Sequence, residues 1–143
     1  MKVMVLVKAT EDSEAGLDPS PEFAQLMEDM GKFNEELVAA GIMLTGDGLK
    51  PSKEGKRVGF DGDSRNVIDG PFAETRELVA GYWLWEVKDM AEAVEWVKRC
   101  PNPMPGYSEI EIRPLYELSD FEDIGTPETM QRHENLRKEL GQG

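Results

Sequence analysis

The chain opens on an apolar run, Val3-Met-Val-Leu-Val7, closed at each end by a lysine, Lys2 and Lys8. Its β-branched residues predict a strand. Val3, Val5 and Val7 fall on one face and Met4 and Leu6 on the other, so this strand needs cover on both sides. Residues 9–19 are polar and read as a loop. Ser20-Pro21-Glu22 is a helix start: a serine cap, a proline at the first helical position and an acid in the first turn. Phe23, Leu26, Met27, Met30, Phe33, Leu37 and Val38 then recur at helical spacing, and Gly41 supplies the stop. Gly31 costs that helix about 1 kcal/mol relative to alanine, for no reason visible in the sequence.

A short strand over Ile42–Thr45 comes next, ended by Gly46-Asp47-Gly48, which reads as a tight turn or as a pocket wall. Past a loop from Lys50 to Gly55, Arg57–Phe60 and Arg65–Ile68 predict the arms of a hairpin turned by Asp61-Gly-Asp-Ser64. That tetrapeptide resembles the start of a calcium loop but lacks the later ligands, so it is read as a turn. Leu78–Val87 is the strongest strand. Val79, Trp83, Trp85 and Val87 oppose Ala80, Tyr82 and Leu84, so it too is apolar on both faces. Asp89 caps a second helix, with Glu92 where a capping box places it, and Met90, Ala93, Val94 and Val97 form its buried stripe. The prolines from Pro101 to Pro105 end that helix, and Glu109–Leu115 is the last core strand. From Glu117 the chain turns polar, with a weak third helix over Thr126–Leu140.

Without its hairpin, this order of elements is a doubled βαβ unit. It predicts a ferredoxin-like α+β fold, one antiparallel sheet with two helices on one face and an inserted β-hairpin. Two helices on one face leave the other bare, yet the first and fourth core strands are apolar on both. A second sheet must lie there, and a second copy of the chain is its simplest source: a homodimeric α+β barrel. Residues 1–116 read as the domain and residues 117–143 as a polar extension with a short helix.

Composition narrows the partners. The chain has 143 residues, enough for one self-sufficient core. Sixteen Lys+Arg against 29 Asp+Glu leave a net charge of −13, which argues against nucleic acid or anionic lipid as partner. The basic group Lys50, Lys53, Lys56 and Arg57 then reads as a solvated loop. No apolar run is long enough for a membrane span and no secretory leader opens the chain. With a single cysteine, the expected compartment is the cytoplasm. Cys100 ends a helix, where the dipole raises a thiol pKa, so it reads as inert. No serine or cysteine triad can be built around His133, the only histidine, and no spacing demands a metal or cofactor.

The chemically densest stretch is Asp69-Gly-Pro-Phe-Ala-Glu-Thr-Arg-Glu77. One reading is structural: a rigid turn in which Asp caps amides and Glu pairs with Arg. The other is a pocket rim with Asp69 as candidate catalytic acid or base. Its ligand-binding candidates are Asp69, Gly70, Pro71, Phe72, Glu74 and Arg76, joined by Tyr82 from the next strand.

The same stretch resembles the YCII-related superfamily, in its DGPF-domain branch, over residues 1–116. Met1-Lys-Val-Met-Val-Leu6, Glu35–Gly41, Gly46-Asp-Gly-Leu49, Gly81-Tyr-Trp83, Ala93-Val-Glu-Trp96 and Glu109–Pro114 carry the resemblance, and Arg76 stands where the branch often has lysine. It implies a dimeric α+β barrel. In the wider superfamily a His and an Asp are the proposed catalytic pair, and a relative is a dehydrochlorinase of chlorinated aromatics. This chain has no histidine in its first long helix, so that mechanism does not carry over. The branch's genes often neighbour extracytoplasmic-function sigma factors, which implies a regulatory setting. Two functions are expected: a small-molecule-binding protein or enzyme with its pocket near Asp69–Phe72, or a non-catalytic interaction module linked to a sigma factor.

Overall fold

The computed structural model describes residues 1–142. Strand β1 (Lys2–Lys8) leads through a single helical turn, α1 (Glu11–Glu14), to the long helix α2 (Pro21–Ala39). Then come β2 (Met43–Gly48), the hairpin strands β3 (Lys56–Asp61) and β4 (Ser64–Asp69), and β5 (Val79–Glu86). Helix α3 (Met90–Lys98), β6 (Ile110–Pro114) and α4 (Pro127–Glu139) complete the order. Four strands form one antiparallel sheet in the order β2-β5-β1-β6, and β3 pairs with β4 alone. This is the ferredoxin-like α+β arrangement, with the hairpin inserted between β2 and β5.

The caps read from the sequence are in place. Ser20 Oγ accepts the Phe23 N–H at 3.1 Å, Pro21 opens α2, and Gly41 closes it at φ 74°, a backbone region that side chains with a Cβ rarely adopt. Asp89 accepts the Glu92 N–H at 2.9 Å. The Glu92 carboxylate accepts from Lys88 N–H rather than from Asp89, one residue before the capping-box position. Residues 9–19 are not wholly loop: Thr10 and Ser13 cap each other reciprocally and wind α1.

Only the valine face of β1 enters the core. Val3, Val5 and Val7 are buried and stand opposite Trp85, Trp83 and Gly81 of β5. Phe33 and Leu37 of α2 and Ala93 of α3 close over them, with Phe33 edge-on to Trp83 at 6.1 Å. Trp83 Nε1 donates to Asn34 Oδ1 at 2.9 Å, whereas the fully buried Trp85 Nε1 has no acceptor among the described residues. Met4, Leu6, Tyr82 and Leu84 point to the other face, where no helix of the core cluster lies, and remain half-buried. Ala80, skipped by the register shift after Val7, packs against the core instead.

Gly46-Asp47-Gly48 is strand, correcting its reading as a turn: it pairs with Trp83, Tyr82 and Gly81. A Cβ on Gly46 would stand 2.6 Å from Trp83 Cδ1, so glycine is there for the indole and not for a bend. Nothing in the structure explains Gly31, around which there is open space. Helix α4 packs chiefly on the 3-10 turn Leu118–Phe121.

Candidate functional site

The Asp69–Glu77 segment leaves β4 and returns to the sheet through a 3-10 turn, Thr75–Glu77. Its shape is set by the loop beneath it. Gly70 N–H donates to the Gly55 carbonyl at 3.1 Å, and a Cβ on Gly70 would overlap the Ser52 carbonyl oxygen. A cis peptide joins Gly70 to Pro71. Phe72 N–H donates to Ser52 Oγ at 3.1 Å. Ser52 is itself held by Glu14 of α1, whose carboxylate accepts the Ser52 N–H at 3.0 Å and also the hydroxyl. Three segments far apart in sequence thus converge on one serine.

That lock fixes the Phe72 ring under Arg57, whose guanidinium carbon stands 3.8 Å from the ring centroid. Beside the pair opens a recess of about 330 Å3, whose wall includes Glu14, Leu49, Ser52, Arg57, Phe72 and Leu78. A second recess, of about 510 Å3, lies between Lys8, Arg76, Glu77, Glu109, Ile110 and Glu111. On its rim the Tyr107 hydroxyl donates to Glu109 at 2.9 Å, a bond to the carboxylate that raises the phenol pKa. Glu77 belongs to both walls.

The structure separates the residues that sequence reasoning grouped. Phe72 lines the first recess and Arg76 the second. Asp69 faces solvent and binds Lys56 across the hairpin at 2.6 Å, so its partner is this lysine and not Arg76. Glu74 precedes the Thr75–Glu77 turn and is exposed. Gly70 and Pro71 shape the turn without lining either recess. Tyr82 lies on the bare face of the sheet, opposite Leu6 and Asp47, and lines neither recess. Glu14, Ser52 and Arg57 are the contributors that sequence reasoning missed. Glu14 lies 38 residues from Ser52, and Ser52 lies 20 from Phe72, so no local spacing announced them.

Cys100 stays a thiol, because burial pushes its pKa up to about 12. Desolvation, rather than the helix dipole, is the cause. Its S–H approaches the Pro101 carbonyl at 3.2 Å and the Met30 sulfur at 3.9 Å. Among the described residues no three His, Cys, Asp or Glu side chains gather as metal ligands, and no helix is long and apolar enough to cross a membrane.

The family model for the YCII-related domain matches residues 1–118. An uncharacterized protein of Rhizobium meliloti (strain 1021) is 29% identical over 91 residues, which cover 64% of this chain and 73% of that relative. With the ferredoxin-like sheet, its inserted hairpin and a match spanning most of its length, the chain belongs to the YCII-related domain family.

Proposed function

We propose that this chain, of the DGPF branch of its family, is a cytoplasmic small-molecule-binding protein or small-molecule enzyme that works as a homodimer. Its site is the recess beside the Asp69–Phe72 turn. The observation that carries the reading is the fixed pairing of Phe72 with Arg57 at the wall of a recess of about 330 Å3, held by the Glu14–Ser52 lock. Its wall joins four apolar side chains, Leu49, Phe72, Leu78 and Val79, to convergent polar and charged groups, and a recess of this size and mixture can orient a small ligand. On this reading Asp69 acts through Lys56, which also lines the recess, and is the rim acid open to an incoming ligand. Glu74 and Arg76 complete the outer rim, and Tyr82 faces the partner subunit.

The test is amide chemical-shift mapping of the intact protein against a chemically diverse fragment library. Hits that move residues 49–57, 72, 78 and 79 support the site. Hits confined to other surfaces, or none at all, would reject it.

A second reading, an interaction module linked to a sigma factor, is favoured by the apolar side chains along and beside the extension. Tyr116, Ile124 and Leu140 are 75%, 81% and 71% exposed. Co-purification of a sigma factor with the full chain, lost when residues 117–143 are removed, would support it over the first.

A further inference from the structure

The recess beside Phe72 has a charge pattern that selects among ligands, a selection that rests on the proposed small-ligand site. The chain carries −13 overall, yet three cations, Lys50, Lys56 and Arg57, line this wall against two acids, Glu14 and Glu77. The groups are not equivalent. Lys56 is taken up by Asp69 at 2.6 Å, and Lys50 approaches Glu54 at 4.0 Å. The Glu14 carboxylate is occupied by the Ser52 N–H and hydroxyl, and Glu77 sits on the boundary where Lys8 and Arg76 also stand. Arg57 alone of the three cations has no carboxylate within 4.0 Å among the described residues. Its guanidinium is instead stacked on Phe72, which fixes the group in place and leaves N–H donors free for a planar, bidentate acceptor. The same wall carries apolar side chains: Leu49 is 50% exposed, and Leu78 and Val79 are half-buried.

We infer that this recess binds an organic monocarboxylate, its carboxylate on Arg57 and its apolar body along Leu49, Leu78 and Val79. A simple inorganic anion would leave the apolar wall unused. A dianion would bring its second charge against Glu14 and Glu77. A cation would meet Arg57, with Lys50 and Lys56 on the same wall.

The experiment is an amide-resolved NMR titration of the full chain with three matched probe pairs. These are benzoate and hexanoate, their neutral amides, and the cations benzylamine and hexylamine. The carboxylates are expected to move the amides of residues 49–57, 72, 78 and 79 and to bind more tightly than the matched amides and amines. Arg57→Gln, with its spectrum otherwise preserved, is expected to weaken carboxylate binding about tenfold while leaving the neutral amides unchanged. If Arg57→Gln disturbs the fold, Arg57→Lys serves, since it keeps the charge and removes the planar fork. Arg65→Gln is the control, because Arg65 stacks on Phe60 at 4.6 Å at the hairpin tip and should change nothing. Amides or amines that bind this recess as tightly as the carboxylates overturn the ligand class while leaving the site standing. Equal carboxylate binding in wild type and Arg57→Gln overturns the role of Arg57. No movement of these amides with any probe overturns the ligand class and the site together.

Discussion

Gly70 is the residue on which the Asp69–Phe72 turn depends most directly. Its hydrogen atom lies against the Ser52 carbonyl, where a Cβ has no room and the obstacle is backbone that cannot swing aside. Gly70→Ala should therefore push the turn off the 50–55 loop, destabilising the protein by roughly 2 kcal/mol or more, with the Phe72 and Ser52 amide signals displaced first. An unchanged melting temperature and an unchanged Phe72 shift would contradict this. Cys100 makes a separate prediction about pH. Its folded pKa, near 12, lies above the ordinary thiol value of 9.0, so the native state holds the proton more tightly than the unfolded chain. That contribution is complete below about pH 9 and is lost as pH rises towards 12. The stability difference between wild type and Cys100→Ala should accordingly shift against the wild type across that interval, and native protein should resist a thiol reagent at about pH 8. A difference that stays flat across the interval would show that the thiol is not desolvated.

At the scale of elements, the sequence displayed what is local. Caps, the hairpin and the alternation of β1 can be read because each depends on neighbours within about four residues or on a period of two. The lock of Glu14 on Ser52 cannot be read this way, since loop closure over 38 residues leaves no periodic trace. Gly46-Asp47-Gly48 shows the opposite failure. Glycine-rich triplets signal turns by their backbone freedom, but Gly46 is glycine because Trp83 needs its space. The basic group Lys50, Lys53, Lys56 and Arg57 is exposed, as its solvated reading has it, but the stacking of Arg57 on Phe72 is a tertiary contact that charge alone does not show. Helix α4 is an element with little to bury. Its apolar positions are Met130, half-buried, and Leu136 and Leu140, exposed, and its chief support is the Leu118–Phe121 turn. Removing residues 126–143 should leave the sheet folded with a fall in melting temperature of only a few degrees, on the order of 1 kcal/mol. Loss of the cooperative transition on this deletion would mean that α4 closes the core through a partner.

For the whole molecule, the question is what covers the second face of the sheet. The sequence showed two apolar faces on β1 without saying which one the helices take; the structure assigns them Val3, Val5 and Val7. The bare face therefore presents Met4, Leu6, Tyr82 and Leu84 at its centre. Charges frame this centre on β1 and β6: Lys8 stands 4.0 Å from Glu111, and Glu111 stands 3.4 Å from Arg113. Mixed charge around an apolar centre suits a self-complementary two-fold contact, where each patch meets its own copy. At about 25 cal/mol per Å2, covering a few hundred Å2 on each subunit contributes several kcal/mol or more before association costs. The two faces now separate two substitutions that the sequence left equivalent. Val5→Asp places a charge among Val3, Trp83 and Leu37 with no partner and should unfold the subunit. Leu6→Asp places it on the bare face beside Glu111, where water can reach it in a monomer but not in a dimer. It should yield a folded, soluble monomer with a native core spectrum, while the unmodified protein runs as a dimer by light scattering at micromolar concentration. An unmodified protein that is already a stable monomer would remove the second sheet, and a Leu6→Asp variant that stays dimeric would move the contact to another surface.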